Sequence, residues 1–230
     1  MFALRDRERG MKALVIGDSG GIGAAVARAL AARGAEVRGL SRSRDGLDLT
    51  DEARVARAAA ALEGPFDLIL DATGALEIDG RGPEKALAQI DPAAMAAQFA
   101  VNAIGPALLL KHLHDRLPRD RRAVFATLSA RVGSIGDNRL GGWISYRAAK
   151  AALNQIVRTA AVEIARKRPG AIVVALHPGT VATPLTARYA GAHPTVPPET
   201  AAENLLAVLD RLTPADTGGF FAWDGKAIPW

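Results

Sequence analysis

The chain has 230 residues, 49% of them hydrophobic and 23% charged, with a formal net charge of +5, a sequence pI near 10.0 and no cysteine. That length suits one domain with a substantial core, and the missing thiols exclude disulfides and thiolate metal sites. No unbroken apolar run approaches the ~18 residues of a membrane span, and the charged start MFALRDRERG lacks the apolar stretch of a signal peptide; both fit a cytoplasmic protein.

The basic balance raises nucleic acid or a membrane surface as a partner. Against it, the arginines are spread along the chain. The densest cluster (Arg116, Arg119, Arg121, Arg122) joins a helix to a strand and lacks the interleaved aromatics of a single-strand platform. The expectation is therefore no nucleic-acid and no membrane partner.

Residues 1–10 read as a flexible, dispensable extension and 11–230 as the domain. Lys12 to Ile16 is a short apolar run that predicts a strand, followed by a Gly-rich turn. Ile22 to Arg33 is an Ala-rich helix stopped by Gly34, and Glu36 to Leu40 is a second strand. Together they make one βαβ unit. A third strand is expected near Gly46–Leu49, reached by a loop because Ser41–Leu49 is too short for a full helix. Asp51–Leu62 predicts a helix with acidic residues in its first turn, and Phe66–Leu70 a strand. Asp91-Pro92 supplies a cap and an N1 proline for a long helix to about Leu117. Ala123–Leu128, Ile172–Leu176 and Gly219–Ala222 read as strands, Ser145–Lys167 and Glu199–Arg211 as helices. The strands are continuous apolar runs, as expected when both faces of a sheet are covered. The alternation predicts an α/β single domain: a Rossmann-type, doubly wound parallel sheet of about seven strands flanked by helices.

The stretch VIGDSGGIG carries the first chemistry. Gly17, Gly21 and Gly23, with Ser19 and Ile22 between and beside them, follow the first strand and open the first helix. Glycines there allow a tight turn and close approach of backbone to a pyrophosphate, and the helix N-terminus adds amides and positive potential. The spacing is G-x-x-x-G-x-G. Tyr146 and Lys150 lie one helical turn apart and project to one side. A free tyrosine has a pKa near ~10, and an adjacent ammonium is expected to bring it down, which makes the pair a proton donor and acceptor. At the end of the second strand stand Ser41 and Arg42, where an acid would bind ribose hydroxyls and repel a 2′-phosphate. A hydroxyl and a guanidinium suit a phosphate; a solvated surface arginine is the competing reading. His112, His114, His177 and His193 show no metal-ligand spacing, so no metal is expected.

These motifs, in this order, resemble the short-chain dehydrogenase/reductase family over nearly the whole chain. "DATG", with Ala72 and Gly74, resembles its Asn-Asn-Ala-Gly segment with both asparagines replaced. Asn102 in "VNAIG" matches its Asn-x-x-Gly motif, Tyr146 and Lys150 its Tyr-x-x-x-Lys, and "HPGTVAT" its Pro-Gly-x-x-x-Thr. The tail "GGFFAWDGKAIPW" resembles the C-factor-like and sniffer-like carbonyl reductases. The resemblance implies catalysis by Tyr146, Lys150 and Asn102, the asparagine holding a water that links Lys150 to solvent. It implies a cofactor lying along the Gly17–Gly23 loop, Ser41, Arg42, Asp48, Leu49, Ala72, Gly74, Tyr146, Lys150, Pro178, Gly179, Val181 and Thr183. NADP(H) is the expected cofactor, NAD(H) the alternative. The reaction implied is hydride transfer to a small aldehyde or ketone, or its reverse on the alcohol, by a homodimer or homotetramer. A loop over Pro184–Pro198 is expected to cover the substrate.

One position departs from the family. Its serine lies three residues before a glycine, and in "SARVG" that place is Ala130. Three readings stay open: a bulge turns Ser129 inward, Ser134 reaches in from the loop, or Tyr146 is the sole donor. Ser129 is the candidate taken forward. A slow NADP(H)-binding sensor on the same fold is the rival function.

Overall fold

The computed structural model describes residues 10–189 and 194–230. The expectation of a flexible extension falls mainly on residues 1–9, outside the described residues, as does His193.

The described strands are β1 (Lys12–Ile16), β2 (Glu36–Leu40), β3 (Leu68–Asp71), β4 (Ala123–Leu128), β5 (Ala171–His177) and β6 (Phe220–Ala222). They form one sheet in the order β2-β1-β3-β4-β5-β6, and every pair is parallel. The helices are α1 (Gly21–Ala32), α2 (Arg42–Asp45), α3 (Glu52–Ala60), α4 (Pro92–Phe99), α5 (Gly105–Leu113), α6 (Ile144–Lys167) and α7 (Pro198–Arg211). One face of the sheet buries Leu14, Ile16, Ile69, Phe125 and Val173 against α3, α5 and α6. The other buries Val15, Leu70, Val124 and Val174 against Val26 and Leu30 of α1 and Leu205 and Leu209 of α7. The mostly apolar, buried runs of β1, β3, β4 and β5 are what two covered faces require, while the edge strand β2 alternates exposed and half-buried residues.

The sheet has six strands in the described residues rather than about seven. Ser41 caps the four-residue α2 through its Oγ, which accepts from the Arg44 N–H, and Gly46 ends it at φ 65°. Residues 46–49 stay irregular. Leu47 is buried in the core, and the Asp48 carboxylate accepts from the N–H and hydroxyl of Thr50, so this segment bends instead of extending.

The long helix expected from Pro92 forms with the predicted cap, the Asp91 carboxylate accepting from the Ala94 N–H at 2.8 Å. It is interrupted at Ala100–Ile104, where the turn widens and the Gly105 N–H reaches back five residues to the Ala100 carbonyl. The stretch Pro92–Arg116 is also 25 residues long with a mean hydropathy of 1.6 in its most apolar window, enough by length and composition alone to cross a membrane. That departs from the expectation of no such stretch. The sequence shows no unbroken run there because Gln98, Asn102, Lys111 and His112 interrupt it. Gln98 and Asn102 are buried and hydrogen-bonded within the fold, and Leu109 and Leu113 enter the core.

Three of the four clustered arginines are tied to the fold, and Arg119 is exposed. Arg121 pairs with Asp67 at 2.8 Å, Arg122 donates to the Leu209 and Leu212 carbonyls, and Arg116 reaches the Ala59 carbonyl.

Parallel strands bring all their C-terminal ends to one edge. The chain leaves β1 for β2 on one side and returns to β3 on the other, so a crevice opens between the ends of β1 and β3. Phe125, fully buried in the central strand β4, packs the core beneath that edge. Phe125→Ala should cost about 3–5 kcal/mol, read as a lower urea midpoint with an unchanged slope.

Candidate active site

The crevice is lined by backbone that cannot carry side chains. Gly17 follows β1 at φ 84°, and a Cβ there would sit 3.1 Å from the carbonyl carbon of Ala72, just past β3. A Cβ on Gly23 would overlap the Gly17 carbonyl oxygen, and one on Gly21 would lie 2.7 Å from Cγ2 of Thr183. Gly74, at φ 140°, would place a Cβ 3.1 Å from Asn102 Oδ1 and 3.4 Å from Lys150 Nζ. The glycine loop, the segment after β3 and the segment after β5 therefore meet along one line that ends at Lys150. Ser19 is exposed on the turn and Ile22 is half-buried in the first turn of α1. The edge fits an elongated ligand with phosphates at the mouth of α1.

Other cofactor candidates are placed along this line to differing degrees. Val181 is buried and Gly179 packs under Trp223, a Cβ there lying 3.0 Å from the indole. Pro178 stands half-buried between them and β5. Thr183 is held by Thr186, whose hydroxyl accepts from the Thr183 N–H at 3.2 Å. Ser41 is buried at the end of β2 and Arg42 is exposed beside it. The Asp48 carboxylate is engaged by Thr50, and Leu49 packs on Gly105.

At the other end, α6 presents Tyr146 and Lys150. Its start is built from a distance. Gly141, Gly142 and Trp143 all have positive φ, Trp143 at 54°, so the chain turns sharply into the helix. Glu84, from the segment after β3, supplies the cap: its carboxylate accepts from the Ser145 N–H at 3.2 Å and from the Ser145 hydroxyl. Its carbonyl accepts from the Trp143 N–H at 2.5 Å. Trp143 then stands edge-on to Tyr146, with centroids 6.3 Å apart, and to Tyr189 at 5.6 Å. The Tyr189 hydroxyl donates to Glu77 at 2.5 Å, closing an aromatic wall. Gly74, Ala75, Leu76, Glu77, Leu185 and Tyr189 border a cleft of about 360 Å³. The loop expected to cover the substrate supplies one side of it through Leu185 and Tyr189; its residues 190–193 lie outside the described residues.

Lys150 is 3% exposed and its Nζ donates to the Leu128 carbonyl at 2.9 Å. Burial brings its pKa down to about 8, against the pull of Asp71, which favours the ammonium. Asp71 is itself fully buried. It accepts from the Thr73 N–H at 3.0 Å, from the Thr73 hydroxyl at 2.5 Å and from the Thr127 hydroxyl at 2.7 Å. Lys150 Nζ lies 5.9 Å from the centre of the Tyr146 ring. The expectation that the ammonium lowers the phenol does not hold in this arrangement: burial pushes Tyr146 up to about 12. Desolvation of a phenolate outweighs an ammonium that is turned to a carbonyl. Tyr146 thus holds its proton at neutral pH.

Asn102 sits in the widened turn, and both hydrogens of its amide are used. Nδ2 donates to the Ala75 carbonyl at 2.8 Å and to Gln98 Oε1 at 2.7 Å, while Oδ1 accepts from the Ala75 N–H at 3.1 Å. Its side chain pins the loop that borders Lys150.

The serines point elsewhere. Ser129 Oγ donates to Asn154 Oδ1 at 2.7 Å, on the α6 face of the sheet. Ser134 donates to the Pro229 carbonyl and accepts from the Asp137 N–H at 3.0 Å. Among the described residues, neither serine hydrogen-bonds to Tyr146. Glu84 and Ser145, which set the start of the helix, were missed by sequence reasoning; 61 positions separate them, and no local pattern links a loop glutamate to a distant helix.

The family model described as "Enoyl-(Acyl carrier protein) reductase" matches residues 16–223. The chain is 31% identical to 1-hydroxy-2-glutathionyl-2-methyl-3-butene dehydrogenase of Rhodococcus sp. (strain AD45), over 94% of this chain and 98% of that one. It is 34% identical to C-signal of Myxococcus xanthus, over 73% of this chain and 94% of that one. Among solved structures, an NADPH-bound carbonyl reductase from chicken fatty liver and a short-chain dehydrogenase/reductase from Burkholderia multivorans with bound NADP each superpose with a TM-score of 0.81. Each is 25% identical and covers 96% of this chain and 100% of its own. The chain belongs to the short-chain dehydrogenase/reductase family.

Ser129→Ala leaves Asn154 Oδ1 buried without its donor. It should cost about 1–3 kcal/mol of stability, checked by urea unfolding.

Proposed function

We propose that this protein is an NADP(H)-dependent oxidoreductase that reduces a small aldehyde or ketone, or oxidises the corresponding alcohol. The observation that carries the reading is the buried Tyr146–Lys150 pair at the end of a side-chain-free crevice, near a cleft of mixed character bordered by Leu76, Leu185 and Tyr189 and by Glu77 and Arg188. NADP and NADPH in the two similar structures support the choice of cofactor. The glycine loop and the mouth of α1 would hold its pyrophosphate, Ser41 and Arg42 its 2′-phosphate, and Lys150 its nicotinamide ribose. Bound NADPH supplies a hydride.

The rest is the work of this chain. Trp143, Tyr189 and Leu185 exclude water and orient the carbonyl. Tyr146 gives its phenolic proton to the carbonyl oxygen as negative charge develops there. Lys150 keeps a positive charge beside the phenolate that remains, and Asp71 helps to keep Lys150 protonated. Asn102 holds the Gly74–Ala75 loop against this pair. Ala130 leaves Tyr146 as the sole side-chain donor. A missing oxyanion donor typically slows a reaction by ~10²–10³, so turnover is slow for the family. That feature, with the similarity to C-signal, favours a second reading: a nucleotide-binding signalling protein of low turnover. NADPH oxidation measured across a panel of aldehydes and ketones separates the two readings. Carbonyl-dependent oxidation at or barely above the rate without enzyme across the panel favours the signalling reading.

The reading includes a cytoplasmic dimer or tetramer. Ile104, in the widened turn, and Val162, on α6, leave apolar side chains about half exposed, and copies of the chain would pair through these two helices. Light scattering at micromolar concentration should give a multiple of the 24.0 kDa chain mass; a single-chain mass refutes the assembly.

Tyr146→Phe should abolish reduction and leave NADPH affinity within about twofold, since it removes one hydroxyl and keeps the ring. The pH dependence has a fixed sign. The phenol keeps its proton to about pH 12, but the Lys150 ammonium is lost as pH rises through about 8. Reduction kcat/KM should therefore be flat near neutrality and fall above pH 8, measured in stopped assays on verified folded enzyme. Retained turnover in Tyr146→Phe contradicts the mechanism.

A further inference from the structure

The adenosine end of the crevice holds an ion pair that the proposed function leaves unused. Asp18 follows Gly17 in the turn after β1, and its carboxylate lies over β2: a Cβ on Gly39 would overlap it. That strand position is therefore kept free of a side chain for Asp18. Arg44, from α2, closes on the same carboxylate with both terminal nitrogens, at 2.9 and 3.2 Å. It also pairs with Asp45 at 2.8 Å. Asp45 in turn accepts from the Ser41 N–H at 2.8 Å, and Arg38 approaches it at 3.9 Å. Arg42, the residue that the sequence motif points to, is exposed and makes no ion pair among the described residues.

In nucleotide-binding sheets of this kind, an acid at the end of the second strand takes the ribose hydroxyls and repels a 2′-phosphate. Here the second strand ends Gly39-Leu40-Ser41, without an acid of its own. Asp18 delivers one to the same place from the neighbouring turn, and Arg44 neutralises it.

We propose that Asp18 and Arg44 are opposing cofactor-specificity residues: Asp18 lowers the preference for NADPH over NADH and Arg44 raises it. The inference rests on the nicotinamide-cofactor reading above. A 2′-phosphate draws on Arg44, so NADPH competes with Asp18 for that guanidinium and must also tolerate the carboxylate beside it. NADH carries no group that disturbs the pair. Arg42 contributes to phosphate binding independently of that pair: among the described residues it makes no contact ion pair, and Asp48 acts on it only at longer range. The chain is thereby tuned to a moderate preference and accepts both nucleotides.

The test is calorimetric titration of NADPH and NADH into the wild-type protein and its Asp18→Asn and Arg44→Gln variants, without substrate. Asp18→Asn is isosteric and Arg44 is half exposed, so both variants keep the fold, verified by circular dichroism. Asp18→Asn should tighten NADPH by about threefold or more and change NADH by less than about twofold. Arg44→Gln should weaken NADPH by about fivefold or more and spare NADH. The NADPH-to-NADH ratio thus moves in opposite directions in the two variants. A ratio within about twofold of wild type in either folded variant overturns the inference. If the wild-type protein binds neither nucleotide, the cofactor reading falls and takes this inference with it.

Discussion

A lysine ammonium buried without a contacting carboxylate is costly, and the site is organised around meeting that cost for Lys150. Its Nζ is satisfied by a strand carbonyl, at Leu128. Its stem needs Gly133 beside it, where a Cβ would come within 2.8 Å, and its head group needs Gly74. Asp71, in the core of the sheet, lies near enough to favour the Lys150 ammonium; burial pushes its own carboxyl up, and the donors from Thr73 and Thr127, with Lys150, work against that rise. The widened helical turn then puts Asn102 where it can clamp the Gly74–Ala75 loop. The connections after β3 and β4 and one helix distortion thus converge on one cation. A side chain at Gly133 would press on the Lys150 backbone, and one at Gly74 on the Asn102 and Lys150 side chains.

The same burial divides the proton chemistry. Desolvation raises the Tyr146 phenol and lowers the Lys150 ammonium, so the pair rests as phenol and ammonium at neutral pH. That state suits proton donation to a developing oxyanion. Running the reaction toward alcohol oxidation requires the phenol to lose its proton, against the burial that holds it there.

Much of this was legible in the sequence because it depends on backbone and on short spacings. Gly17, Gly21 and Gly23 announce a close approach of chain to chain, and Tyr146 with Lys150 announces a shared helix face. The continuous apolar strands announce a sheet covered on both sides. What was not legible depends on side chains that meet across the fold. The Glu84 cap on α6, the Asp18–Arg44 pair over Gly39 and the clamp from Asn102 to Ala75 join residues 26 to 61 positions apart. Ser129 shows the limit most clearly. Its spacing left open a bulge that turns it inward. Strand β4 instead runs regularly beside β5, and the buried amide of Asn154 takes the hydroxyl on the α6 face. The strand at 46–49 failed for a related reason: Leu47 was drawn into the core and Asp48 was taken by Thr50.

The central claim is that Tyr146, backed by Lys150 and without a serine, polarises and protonates the substrate oxygen. The direct measurement is a crystal structure with NADPH and a carbonyl analogue bound together. The account predicts the analogue's oxygen within hydrogen-bond distance of the Tyr146 hydroxyl, and Ser129 still bonded to Asn154. An oxygen held by Ser129 or Ser134, or lying away from Tyr146, contradicts it.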